Sequence, residues 1–199
     1  VLNPRLFQLH GTDPAGANAW ARALGGTYVA VFLPLVTAIG LVIPGALALL
    51  NIRSEYVASG HLVLFGLGAA FLFGLSQLCG KRREFEARTG VFVWAAGLGA
   101  AVMVVGVYLL VPAAGIEGAA IATLAGVATY CGVLAAVSRT VPSPLAMIWG
   151  VIGCLGLLAT GRFFAGTSFV GEAIAISLVG VLYALLVWPR LRRLKVVGP

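Results

Sequence analysis

Acidic side chains are scarce in this chain of 199 residues: there are six in all, and only one, Asp13, is an aspartate. Histidine is scarcer still, with His10 and His61 alone. Enzymes that work inside membranes draw on such groups, as paired aspartates, a His-Glu-x-x-His zinc site, or a serine or cysteine with a basic partner. No such set can be assembled here, so the sequence argues against catalysis and implies neither a metal nor an organic cofactor. Cysteine is equally sparse. Cys79, Cys131 and Cys154 are odd in number and lack metal-ligand spacing, so they read as small apolar residues. What fills the chain instead is hydrocarbon. Hydrophobic residues make up 61% and charged residues 10%, and the mean hydropathy of +1.06 lies far outside the range of a soluble domain.

Crossing the hydrocarbon takes about 20 residues of helix, and the charged residues leave six stretches of that length. None alternates as a barrel strand would, and helices satisfy their own backbone in lipid. The expected fold is therefore all-α: a polytopic membrane bundle of six transmembrane helices at 26–50, 57–80, 89–111, 117–138, 144–161 and 168–189. Residues 1–25 read as a cytoplasmic tail or loop with no signal peptide, and 190–199 as a basic cytoplasmic tail. Connections this short leave no room for a soluble domain.

If the helices alternate, one side receives residues 1–25, the loop KRREFEAR (81–88), the turn at Arg139 and the tail RLRRLK (190–195). That side holds eleven of the thirteen Lys and Arg, and the other only Arg53 and Arg162. The positive-inside rule then places both termini in the cytoplasm. Trp20, Trp94, Trp149 and Trp188 fall near the cytoplasmic ends of their helices, where indole rings prefer to lie. Orientation and attraction to anionic membrane lipids account for the net charge of +7, with no nucleic acid partner required.

Within the spans, Pro34 and Pro44 remove backbone donors from the first helix, which should bend. Such breaks can mark moving or ligand-facing segments. Gly118, Ala122 and Gly126 recur every four residues on the fourth span, as do Gly66, Ala70 and Gly74 on the second, and small residues permit close helix packing in lipid. Ser76, Gln77 and Tyr130 suit hydrogen bonds between helices. Two ionisable residues, His61 and Glu172, fall inside spans near their outer ends, where Glu172 is the stronger candidate for a role in transport. Arg53 and Glu55 cap the outer loop.

The stretch LVPAAGIEGAAIATLAG (110–126) resembles a recurring pattern of polysaccharide and lipid-linked oligosaccharide flippases, in the multidrug/oligosaccharidyl-lipid/polysaccharide exporter superfamily. That pattern runs Leu-hydrophobic-Pro, a short turn, then Gly-x-x-Gly-Ala-Ala-hydrophobic-Ala-Thr, and Pro112, Gly115, Gly118, Ala119, Ala120, Ala122 and Thr123 match it, with Gly126 extending the packing motif. Upstream, NPRLFQLHGTDPAG (3–16) resembles the family's cytoplasmic loop Pro-Arg-hydrophobic-x-x-Leu-x-Gly, and residues 53–89 resemble the helix and basic loop that come next. The likeness is in the right order over residues 3–126. That family has two pseudo-symmetric lobes, about twelve to fourteen helices in all, with the substrate path between them.

The resemblance implies the C-terminal lobe of a multi-pass flippase of the bacterial inner membrane, with an N-terminal lobe missing. It would move an undecaprenyl-type lipid-linked sugar by alternating access, with Arg22 and Arg53 attracting the diphosphate, since Arg suits bidentate phosphate contact. Two other functions remain open. A drug/cation antiporter of the same superfamily would want deep acidic residues, for which Glu172 is the one candidate, and a non-transporting six-helix subunit would serve as a scaffold for a partner complex.

Overall fold

The computed structural model describes residues 11–50 and 62–139, together with positions 148, 150, 152, 157, 174, 176–181 and 183. Among the described residues every regular element is a helix. They are α1 (Pro14–Leu49), α2 (Leu62–Cys79), the short α3 (Lys81–Phe85) and α4 (Gly90–Ser138). The described positions from 148 onward are also helical. Three helical stretches, Pro14–Leu47, Leu62–Phe85 and Gly90–Ser138, are long and apolar enough to cross a bilayer. Arg53, His61, Cys154, Glu172, most of the fifth and sixth expected spans, and the tail 190–199 lie outside the described residues.

Helix α1 starts at Pro14, about a dozen residues before the expected span at 26. The cause is local chemistry. The Asp13 carboxylate accepts the Gly16 N–H at 2.9 Å, the Asp13 carbonyl accepts the Ala17 N–H at 3.0 Å, and Pro14 fills the first helical position, where its missing donor costs nothing. Beyond that cap, Ala17, Ala21 and Gly25 recur every fourth residue as a buried face. Helix α1 then continues through Pro34 to Leu49 as one element.

Helix α4 spans 49 residues. A straight helix of that length would measure about 73 Å, more than twice the roughly 30 Å hydrocarbon core. The interruption is Gly115, with φ 56° and ψ −132°, three residues after Pro112. This conformation is open to glycine and strained for other residues. Around it the helix folds into two antiparallel arms, as the opposed residues show. A Cβ on Gly99 would lie 2.8 Å from the Gly126 carbonyl oxygen, and one on Gly126 would lie 2.8 Å from that of Gly99. Nearer the reversal, Gly106 faces Ala122 and Gly118 faces the Leu110 carbonyl. The buried stripe Gly118, Ala122, Gly126 is thus where one arm's backbone meets the other. Ala119 and Ala120 flank it half-buried, while Pro112 and Gly115 are exposed at the tip. The outer face of the first arm carries Trp94 and Tyr108, 82% and 80% exposed. They are separated by about 21 Å of helix rise, a spacing suited to two interfacial rings flanking apolar side chains.

The chain divides into two compact units, residues 1–26 with 69–143, and 27–68 with 144–199. The first contains the α4 hairpin, α3 and the end of α2. The second contains most of α1 with the start of α2. In the second, a Cβ on Gly40 would collide with the Leu64 side chain, and one on Gly150 would lie 3.1 Å from the Val29 carbonyl oxygen, so α1 is closely approached from two directions.

Candidate functional site

Two places combine helix ends or breaks with polar chemistry. The first lies where α2 passes into the basic loop. At the end of α2, Ser76 donates to the Phe73 carbonyl at 2.6 Å, and Tyr130 of α4 lies beside Ser76 and Gln77. Tyr130 also stacks on Phe73 with ring centroids 6.2 Å apart. One turn on, the buried Cys79 contacts the buried Cys131, both as free thiols. Gly80, at the end of the helix, lies against the Phe92 ring, which would have to shift to admit a Cβ.

Basic side chains come immediately after. In α3, Arg82 Nε donates to Glu86 at 2.9 Å and Arg83 Nη1 donates to the other carboxylate oxygen at 2.8 Å. The remaining ends of both guanidiniums reach the far end of α4. Arg83 Nη2 donates to the Val137 carbonyl at 2.6 Å, and Arg82 Nη1 to the Ser138 carbonyl at 3.4 Å. The last carbonyls of a helix have no partner within it and carry the negative end of its dipole, so two cations are favoured there. The hydrogen bond from Arg82, together with the charges of Arg83 and Arg82, holds the Glu86 carboxyl below the usual carboxylate range against the opposing effect of desolvation. Residue order alone assigns this loop to orientation and lipid attraction. Its clamp on α4, joining residues about 55 apart in sequence, is visible only in three dimensions.

The second place is the proline break in α1. Pro34 has no N–H, so the carbonyl four residues earlier, Ala30, loses its helical donor. The Tyr183 hydroxyl donates to that carbonyl at 2.8 Å. Just beyond, Thr37 Oγ1 donates to the Leu33 carbonyl at 2.9 Å. Membrane helices tolerate proline when a neighbour supplies the missing bond, and Tyr183 does so here. Tyr183 escapes a reading of the sequence because no local pattern connects residues 153 apart.

Of the expected substrate-path residues, Arg22 is exposed on α1. Arg53 and Glu172 lie outside the described residues. Among the described residues no group of three His, Cys, Asp or Glu side chains could hold a metal ion. No protein-family model matches the chain, and no curated protein or solved structure matches it.

Proposed function

We propose that this chain is the C-terminal lobe of a flippase that translocates a lipid-linked oligosaccharide or polysaccharide precursor across the bacterial inner membrane by alternating access. The six-helix, multi-pass topology with cytoplasmic termini belongs to the same proposal. The observation that carries it is the segment 110–126, whose resemblance to the flippase pattern coincides with a physical role for its matching residues. Pro112 and Gly115 stand at the reversal of a hairpin, and Gly118 and Ala122 line its closest approach.

Alternating access by rocking lobes asks each lobe to move as a rigid piece. Backbone-to-backbone packing without intervening side chains supplies that stiffness, because few rotamers are available at the contact. Arg22, exposed on α1, is offered as a cation for the diphosphate of the lipid-linked sugar.

The test is reconstitution of the product of the complete reading frame that encodes this chain. Proteoliposomes loaded with a fluorescent polyprenyl-diphosphate sugar report translocation as the fraction reached by an impermeant quencher. Protein-dependent transfer that falls in an Arg22→Gln variant is expected. A quenched fraction equal to that of protein-free vesicles would remove the flippase reading and leave the drug/cation antiporter and the scaffold subunit.

A further inference from the structure

The basic loop and the end of α4 border an open cavity of about 560 Å³, lined by Arg82, Arg83, Glu86, Arg88 and Arg139 against the last turn of α4. Four arginines and one carboxylate thus line it. Glu86 is fully engaged by Arg82 and Arg83, which also cover the α4 carbonyls that would otherwise repel an anion. Three donor groups are left over. Arg88 and Arg139 are exposed and have no side-chain partner among the described residues, and Arg83 Nε is buried with no acceptor.

Backbone geometry brings the two spare arginines to this cavity. Arg88 comes directly after Ala87, at φ 53°, and Arg139 itself sits at φ 51° just past the end of α4. Both are left-handed conformations at non-glycine residues, which are uncommon and cost energy. The chain therefore adopts strained turns on both sides of one cavity, each ending in an unpaired arginine.

We propose that this cavity is a binding site for the phosphate head group of an anionic lipid, held by Arg88 and Arg139 with Arg83 Nε beneath. Arginine recognises phosphate oxygens through paired, charge-assisted hydrogen bonds. A lipid, rather than free phosphate, is favoured by position. The wall formed by Ala136 and exposed Val137 is the last turn of an apolar helix, so acyl chains would lie along α4 while the head group enters the cavity. The site stands independently of the flippase reading.

The experiment measures lipid retention by the full chain in native mass spectrometry, titrating phosphatidic acid, phosphatidylglycerol and phosphatidylcholine in mild detergent. The wild type should retain the two anionic lipids over phosphatidylcholine. Arg88→Gln/Arg139→Gln should weaken their retention about tenfold or more, as expected for losing charge-assisted hydrogen bonds. Arg192→Gln/Arg193→Gln removes the same charge from the basic tail and should change it less than about twofold. Equal losses in the two pairs would reduce the effect to diffuse charge and overturn the proposal, as would a wild type without preference for anionic lipids. Displacement by inorganic phosphate at concentrations matching the lipid would make it a free-phosphate site and overturn the lipid assignment. Should the glutamine pair fail to fold, Arg88→Lys/Arg139→Lys carries the test, with retention expected between wild type and the phosphatidylcholine level, and unchanged retention counting against the site.

Discussion

Pro34 and Pro112 both interrupt long apolar helices, with opposite results. Around Pro34, α1 remains one helix, because Tyr183 takes over the orphaned Ala30 carbonyl and the residues beyond keep helical geometry. After Pro112 the chain reverses, because Gly115 enters a conformation with positive φ that is open to glycine. Proline removes one donor in either place. The outcome is decided by the next few residues and by whether another part of the protein offers a hydroxyl.

The small-residue stripes differ in the same way. Gly118, Ala122 and Gly126 face backbone across the α4 hairpin, whereas a Cβ on Gly66 would meet nothing within 4 Å and Ala70 is exposed. Equal spacing in the sequence therefore serves two environments. The largest expected effect uses this contrast. Gly118→Ala must displace the Leu110 backbone and should destabilise the protein by about 1–3 kcal/mol, while Gly66→Ala should be neutral or stabilise by up to about 1 kcal/mol through helix propensity. Thermal unfolding in detergent compares them, and equal midpoints would dissolve the distinction.

Gly115→Ala probes the reversal itself. With open space around the site, its cost is conformational, about 1–3 kcal/mol. Crosslinking between cysteines introduced at Gly106 and Ala122 would reveal whether the arms separate. Unchanged stability would mean that the positive φ is not required.

Tyr183→Phe should cost about 0.6–1.7 kcal/mol, the range for hydrogen bonds between membrane helices. In a Pro34→Ala background, where Ala30 regains its helical donor, the same change should cost close to nothing. A double-mutant cycle checks this, and additive losses would show that the hydroxyl does not answer the proline.

The smallest effect concerns the clamp on α4. Because the folded Glu86 carboxyl is held below its ordinary value, its contribution is present above the unfolded value of about 4.3 and is lost as pH falls through the lowered folded value. The stability of wild type and Glu86→Gln should therefore converge on acidification. A constant gap down to strongly acid pH would separate Glu86 from the clamp.

Much of the fold was legible in residue order. Apolar runs declared membrane-length helices because unpaired backbone cannot remain in lipid. The start of α1 at Pro14 was legible but unread: Asp13-Pro14-x-Gly16 carries a capping carboxylate and a proline at the first helical position. The basic loop was visible as charge, yet its grip on the α4 carbonyls was not, since any arginine near a helix end looks alike in sequence.

By itself, then, the sequence determined that this chain forms helices long and apolar enough to cross a membrane and where those helices could begin and break, because apolar burial, capping and proline chemistry all act within a few residues. Only the tertiary structure decided which glycines meet backbone, which proline is rescued by Tyr183, and which arginines stay unpaired beside a cavity. Those outcomes depend on neighbours tens of residues away or more, and no local periodicity encodes who the neighbour will be.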